Sequence, residues 1–205
     1  QIEARVLAWL AGQDDLTQAF RDGEDVYKKM ASRIYGVKEE DVTKDQRFVG
    51  KTTILGAGYG MGAQKFQNQL QTFGFDMELE EARRVIKIYR EANYNINELW
   101  RDAQRYLQSA TAFGLKGVLE IVDGTIILPS GLKLRYEDLQ FDKNDKGVEF
   151  HYKVRRGRNR IYGGKVIENV CQAIARCIIG EQMLKIAQKH RVVLTVHDSV
   201  VCCVK

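Results

Sequence analysis

The chain has 205 residues, 44% of them hydrophobic and 29% charged, an ordinary composition for a globular protein with a real core. Its formal net charge of +5 permits a polyanionic partner without demanding one. No window approaches the roughly 18 apolar residues of a membrane-spanning helix, so such a helix is excluded. The first residues have no signal-peptide pattern and no initiator Met, so we expect a fragment of a longer protein.

The beginning of the chain is predicted to be a short strand followed by helices. Residues 2–10 alternate weakly between polar and apolar positions and then become apolar, which predicts a strand that runs into a helix. Asp25 is a typical N-cap residue and Gly36 a typical helix stop, so a helix is predicted over Val26–Tyr35.

Two further helical segments follow. Thr43 and Gln46, three residues apart, have the pattern of a capping box that begins a helix. Residues 78–113 are the longest segment with apolar residues at helical spacing, and one or two long helices are predicted there.

The second half mixes short strands with one long helix. Val118–Ile121 and Thr125–Leu128 are strand-like runs joined by Asp123-Gly124, a strong hairpin dipeptide. Residues 165–190 have a helical apolar face, and Val192–Val204 is a hairpin-like run broken at His197-Asp198-Ser199. The whole pattern predicts a helix-rich α+β fold.

Three features resemble ligand sites but lack the sequence context that those sites need. Gly50-Lys51-Thr52 looks like the end of a P-loop, yet Asp45 stands where that loop requires glycine. The glycines between Gly56 and Gly62 follow a helix-like segment rather than the strand of a dinucleotide-binding motif. The cysteines match no zinc-binding spacing and are expected to be reduced thiols: Cys171, Cys177, Cys202 and Cys203.

A stripe of four residues suits a nucleoside triphosphate. Arg47, Lys51, Leu55 and Tyr59 recur every four residues and therefore share one helix face. Arg47 and Lys51 would hold phosphates, while Leu55 and Tyr59 would lie against the base or sugar. On the stripe alone, a solvated face with an incidental Arg and Lys is the simpler interpretation.

Asp198 is a candidate metal ligand. It lies between two valine-rich strand halves, and a carboxylate is costly to bury unless it is paired or holds a metal. A turn aspartate and a metal ligand are both open interpretations of these residues.

Four segments in this order resemble the conserved motifs of family A (polymerase I-like) DNA polymerases. Gln1-Ile2-Glu3 is similar to the tail of motif A, Asp-Tyr-Ser-Gln-Ile-Glu. Residues 47–60 match the motif B pattern Arg-x3-Lys-x7-Tyr-Gly, and His197-Asp198 matches motif C. Residues 162–176 resemble the helix that precedes motif C in phage-type members.

The resemblance implies the fingers and parts of the palm of a right-hand polymerase. Residues 1–8 would be a palm strand, residues 9–190 the fingers with an adjoining palm helix, and residues 191–205 a palm hairpin. The implied activity is template-directed DNA synthesis from dNTPs on primer-template DNA, in the cytoplasm of a bacterial or phage-infected cell. The thumb and the rest of the palm would be partners, and no membrane is implied.

The resemblance also implies two Mg²⁺ ions held by two aspartates, which join the primer 3′-hydroxyl to the incoming α-phosphate. Asp198 matches the motif C aspartate. The motif A aspartate would lie three residues before Gln1, so the chain as given is expected to be inactive alone.

The remaining roles are carried over from the motifs residue by residue. Arg47 and Lys51 would bind the triphosphate, and Lys51 would also donate a proton to pyrophosphate. Leu55 stands where familiar members often carry Phe or Tyr, and poor use of dideoxynucleotides is expected from it. The other matches are Glu3 beneath the incoming sugar, Tyr59 near the templating base, Gly60 beside the template, Gln172 at the minor groove and His197 near the primer terminus.

A basic stretch runs from Lys143 to Lys165. Phosphate contact by Arg155, Arg156 and Arg158 is one hypothesis, and an exposed basic loop is the alternative. For the whole chain, a non-catalytic basic DNA-binding module is the second hypothesis. A single-subunit RNA polymerase is disfavoured, because Glu3 and the helix that contains Gln172 resemble the DNA enzymes.

Overall fold

The computed structural model describes residues 2–109, 120–122, 125–144 and 147–203. They form an α+β fold rich in helices, as the sequence predicts. Helices fill the first half: α1 (Ile2–Ala11), α2 (Asp14–Arg21), α3 (Val26–Tyr35), α4 (Lys44–Ala57), α5 (Ala63–Thr72), α6 (Leu79–Ala92) and α7 (Tyr94–Ser109).

Short strands surround one long helix in the second half. The strands are β1 (Glu120–Val122), β2 (Thr125–Ile127), β3 (Lys133–Leu134), β4 (Gln140–Asn144), β5 (Gly147–Lys153) and β6 (Arg158–Ile161), followed by α8 (Gly163–Ala187), β7 (Arg191–Val196) and β8 (Ser199–Cys203). They pair in the antiparallel sheets β1-β2-β3, β4-β5-β6 and β7-β8. Asp123-Gly124, the predicted turn between β1 and β2, lies outside the described residues, as do Val118 and Leu119.

The strand predicted at the start of the chain, over residues 1–8, is wrong, because residues 2–8 lie in α1. Ala4 and Ala8 are four residues apart and both buried, and Leu7 and Leu10 are buried three residues apart. That is helical spacing, and Ala and Leu have high helix propensity. A short run with weak alternation does not distinguish the period of a strand from that of a helix.

The predicted helix boundaries in the first third are confirmed. Asp25 caps α3 through its side chain, and Gly36 ends that helix with a left-handed φ of 67°. Thr43 and Gln46 make both hydrogen bonds of the capping box at the start of α4. These contacts span three residues or fewer, which is why the sequence alone predicts them.

Helix α1 lies between two hydrophobic cores. Leu7 and Leu10 belong to the core built with α7, α8 and the small sheets. Ala4 and Ala8 belong to the core formed with α2 to α6. Full burial of a leucine contributes about 1.5–3 kcal/mol, so Leu7 and Leu10 hold α1 firmly against the first core, while the small Ala4 and Ala8 let it pack closely against the second. The position of Glu3, at the start of this helix, is thereby fixed relative to α4 and α8.

Within the basic stretch from residue 143 to 165, residues 147–161 form a hairpin of strands β5 and β6. The two strands pair antiparallel, from Phe150 opposite Ile161 to Lys153 opposite Arg158.

Among the helices that the structure describes, none is long and apolar enough to cross a membrane.

Candidate functional site

One cleft of ≈ 300 Å³ collects side chains from four separated parts of the chain. Helix α1 supplies Glu3, α4 supplies Leu55, α8 supplies Gln172, and the β7–β8 loop supplies His197 and Asp198. The sequence assigned these five residues to one site, and the fold brings them together.

Asp198 stands at the tip of a two-residue hairpin loop. Val196 pairs with Ser199 across the ladder, so His197 and Asp198 alone connect the two strands. His197 has a φ of 52°, in the left-handed region that tight hairpin turns use. Asp198 is exposed, so the burial cost considered from the sequence does not arise. A carboxylate in this position can meet a cation that arrives from solvent.

Helix α4 carries most of the predicted stripe. It ends at Ala57, so Tyr59 lies in the turn that follows the helix rather than on the helix itself. Leu55 lines the cleft, whereas neither Arg47 nor Lys51 is among the described residues that line it. At a rise of about 1.5 Å per residue, Lys51 and Arg47 lie about 6 and 12 Å farther along the helix axis. The stripe therefore begins with Leu55 at the cleft wall and continues along α4 to Lys51 and Arg47 outside the cleft.

Leu55 also lines a second, basic cleft of ≈ 280 Å³, together with Tyr59. The cations on its walls are Lys65, Arg160 and Lys165. Burial raises the pKa of the Tyr59 hydroxyl above its usual range, and the nearby Cys171 and Glu3 add to this shift. Tyr59 is therefore a neutral, largely buried aromatic on the wall of the basic cleft, and Leu55 is the residue that the two clefts share.

Close backbone contacts join the end of α4 to α7 and α8. The Trp100 indole N–H donates a hydrogen bond of 3.0 Å to the Gly58 carbonyl oxygen. A Cβ at Gly164 would stand 2.5 Å from the Tyr59 carbonyl oxygen, so only glycine fits there. Gly60 has a φ of 80°, in the left-handed region that favours glycine, whereas a Cβ there would make only ordinary contacts with Tyr162 and Gly164. It is therefore Gly164 that allows α8 to approach this turn, and the contact of Gly60 with a template stays a prediction.

The family of the chain is decided by comparison with known proteins. A family model described as DNA polymerase family A matches residues 1–205. The chain belongs to this family. The DNA polymerase of Bacillus phage SP02 is 28% identical over 218 residues, which cover 98% of this chain and 34% of the phage protein. DNA polymerase I of Helicobacter pylori (strain 26695) is 26% identical over 208 residues, which cover 98% of this chain and 19% of that protein.

A solved structure has the same fold. The POL domain of Pol1 from M. smegmatis, in complex with DNA primer-template and dNTP, matches with a TM-score of 0.65 and 24% sequence identity. The match covers 98% of this chain and 31% of that one. The family A chain thus spans about a third of the phage relative and of this structural neighbour, and about a fifth of the Helicobacter relative.

The cleft of this family A chain has one predicted metal ligand. Asp198 offers the hard oxygen donors that Mg²⁺ prefers, and Glu3 is a second carboxylate on the cleft wall. Among the described residues, no group of three or more His, Cys, Asp or Glu is arranged to hold a metal ion. The donor chemistry of the Asp198 carboxylate fits Mg²⁺.

The three arginines predicted to contact DNA differ in their surroundings. Arg155 and Arg156 are exposed in the turn between β5 and β6. Arg158 donates from Nη1 to Asp138 Oδ2 at 2.7 Å and from Nη2 to the Asp138 backbone oxygen. This pairing holds the pKa of the Asp138 carboxyl below its usual range. Arg158 therefore joins the β5–β6 hairpin to the segment before β4, whereas Arg155 and Arg156 are exposed at the end of the hairpin.

Arg176 is a cleft residue that the sequence analysis did not single out. It lies one turn after Gln172 on α8 and lines the cleft with Gln172 and Asp198. The four-residue spacing from Gln172 is the signal that would have found it, because residues at i and i+4 share a helix face.

Proposed function

We propose that this chain forms the fingers and part of the palm of a DNA polymerase that transfers nucleotides from dNTPs to a primer 3′-hydroxyl. The observation that carries the proposal is the single cleft lined by Glu3, Leu55, Gln172, His197 and Asp198. These residues come from motifs at opposite ends and in the middle of the chain, and a basic binding module would not need them in one place.

The reaction is proposed to use two Mg²⁺ ions. When bound, they would stabilise the attacking and leaving oxygens of an in-line displacement. Asp198 would supply one ligating carboxylate from its exposed loop. By resemblance to motif A, the second carboxylate would lie three residues before Gln1. Residues 1–205 alone are therefore expected not to extend a primer.

The dNTP is proposed to lie along α4. Its sugar and base would meet Leu55 at the cleft, near Glu3, and its phosphates would extend toward Lys51 and Arg47. Each step along this stripe is about 6 Å, one helical turn, so successive parts of an extended triphosphate can meet successive side chains. Lys51 is exposed and can reach a phosphate from the helix surface.

The primer-template duplex is proposed to lie against α8 and the β7–β8 loop. Gln172, Arg176 and His197 would face the primer end from the cleft wall. Tyr59 and Gly60, at the turn after α4, would face the template. The structural neighbour from M. smegmatis was solved with DNA primer-template and dNTP, which supports these partners for a chain of the same fold.

The rest of the palm is proposed to cover one face of the β7–β8 hairpin. Leu194 and Val201 are paired across the two strands, and Val196 follows on the same face. Their exposed fractions are 55%, 50% and 49%, high for side chains of this size and type. Further strands of the palm would bury this face.

The test is Mg²⁺-dependent primer extension by the full polymerase that carries these residues, compared with its Asp198→Asn variant. Asp76→Asn, in an exposed loop outside the cleft, is the matched control. We expect extension by the parent and the control and its loss in Asp198→Asn. Equal extension by all three would reject the role of Asp198. DNA binding without extension by the parent would favour the non-catalytic binding module.

A further inference from the structure

Arg47 is held by a carboxylate from the preceding helix. Its Nε donates a hydrogen bond of 2.7 Å to Asp25 Oδ2. Its guanidinium also lies over the Tyr27 ring, 5.4 Å from the ring centroid. The side chains of Arg47 and Asp25 are 39% and 34% exposed, so the pair lies at the surface of α3 and α4 rather than in a core.

The two oxygens of Asp25 serve different groups. Oδ1 accepts hydrogen bonds from the backbone N–H groups of Tyr27 and Lys28, both at 3.2 Å, and thereby caps α3. Oδ2 accepts from Arg47. Capping needs only one oxygen, and any of Ser, Thr, Asn or Asp can provide it. The second oxygen of an aspartate is what reaches Arg47.

A glycine brings the two helices close enough for this pairing. A Cβ at Gly50 would stand 2.3 Å from the Tyr27 carbonyl oxygen, so α3 and α4 approach closely at that point. Arg47 lies one turn before Gly50 on α4, and Asp25 lies at the start of α3. The close helix pair therefore places Asp25 within reach of Arg47.

Holding Arg47 changes its ability to bind an anion. A free arginine side chain loses much rotamer freedom when it binds a ligand, and a tether made beforehand removes part of that cost. Because Nε is committed to Asp25, the N–H groups of the two terminal nitrogens are those that can meet a phosphate. The negative charge of Asp25 opposes the binding of an anion at Arg47. Because the site is partly exposed, this charge acts through solvent and is strongly screened.

We propose that Asp25 is a positioning residue that holds Arg47 ready for the triphosphate of the incoming dNTP. This inference rests on the proposed function, in which Arg47 binds that triphosphate. Asp25 acts through Arg47 and does not itself contact the nucleotide.

The test is single-nucleotide extension over a range of dNTP concentrations by the full polymerase and its Asp25→Asn variant. Asn keeps one oxygen for the cap of α3 and places an amide N–H₂ group against Arg47 in place of Oδ2. We expect the KM for dNTP to rise about tenfold, equivalent to about 1.4 kcal/mol, with kcat reduced less than about threefold.

A matched control separates an effect on the position of Arg47 from a general loss of protein stability. Gly36 ends α3 with a φ of 67°, so Gly36→Ala strains the same helix far from Arg47. It should lower the melting temperature more than Asp25→Asn does and leave the KM for dNTP unchanged. A rise in KM for Gly36→Ala equal to that for Asp25→Asn would overturn the proposal.

Arg47→Ala distinguishes a failure of this inference from a failure of the proposed function. If Arg47→Ala leaves the KM unchanged, the proposed triphosphate role of Arg47 is wrong. If Arg47→Ala raises the KM but Asp25→Asn leaves it unchanged or lowers it, only the positioning role is wrong. In the double variant, Asp25→Asn should add nothing to the effect of Arg47→Ala, because the two residues act as one unit.

Discussion

Gly164 lies against Tyr59 so closely that a Cβ at Gly164 would stand 2.5 Å from the Tyr59 carbonyl oxygen. The contact joins the turn after α4 to the first turn of α8. Helix α4 carries Leu55 and α8 carries Gln172, and both side chains line the cleft. Because Gly164 has no side chain, α8 can pack closely against the turn after α4. This contact sets the distance between two walls of the candidate site.

Gly164→Ala should therefore destabilise the protein and disturb the cleft. Insertion of a methyl group against a fixed backbone oxygen typically costs about 1–3 kcal/mol of unfolding free energy. Gly180→Ala is the matched control, since it lies in the same helix with nothing within 4 Å of its ideal Cβ. It should raise the unfolding free energy by about 0.5–1 kcal/mol, because alanine favours helix interiors over glycine. Urea unfolding of both variants measures the difference, and equal shifts would contradict the close contact.

Leu55→Tyr should increase the use of chain-terminating nucleotides. Leu55 is 40% exposed and lines the cleft, so a larger side chain can be accommodated without loss of a core contact. A phenolic hydroxyl at this position can replace the hydrogen bond that a missing sugar 3′-hydroxyl no longer makes. We expect at least about a tenfold gain in the ratio of dideoxynucleotide to deoxynucleotide incorporation by the full polymerase. An unchanged ratio in competition assays would show that position 55 does not govern this choice.

The β5–β6 hairpin offers a test of phosphate contact by Arg155 and Arg156. Both are exposed at its turn, and each contact with duplex DNA adds about 0.9 to the salt dependence of binding. Replacement of both by Gln should lower the slope of log affinity against log salt by about 1.8 if both contact phosphates. Binding titrations at several salt concentrations provide the measurement, and an unchanged slope would leave the hairpin as an exposed basic element.

Arg158 should behave differently from its two neighbours. Because it pairs with Asp138, Arg158→Gln removes a contact within the protein as well as a charge. Asp138→Asn removes the same pairing while it leaves the arginine charge in place. If Arg158 serves only to fasten the hairpin, both variants should change DNA affinity equally. A larger loss in Arg158→Gln, with a reduced salt slope, would indicate that it also contacts phosphate.

The Asp25–Arg47 pair should appear in the pH dependence of stability. Burial raises the pKa of Asp25, but the hydrogen bond from Arg47 and those from the backbone outweigh it, so the pKa is lowered from 3.8. A lowered folded pKa gives stability that is present above the unfolded pKa and lost as the pH falls through the folded value. Asp25→Asn cannot titrate, so the difference in unfolding free energy between parent and variant should be constant from about pH 5 to 7 and narrow below pH 3.8. A difference that widens on acidification would contradict the lowered pKa.

The sequence by itself determined the elements whose causes are local. The caps at Asp25 and Thr43, the stop at Gly36 and the hairpin at His197-Asp198 each depend on residues within a few positions of one another. The order and spacing of the motifs likewise predicted which residues would share a site, because matching patterns in a family imply a common fold.

The tertiary structure decided those features that depend on contacts between residues far apart in the sequence. Residues 2–11 form a helix because two cores bury both of its sides, and no short sequence window contains those cores. Arg158 fastens a hairpin because Asp138 meets it in space, and Arg47 is held because Gly50 lets α3 approach α4. Contacts of this kind arise from packing between distant segments, so periodicity and spacing along the chain do not predict them.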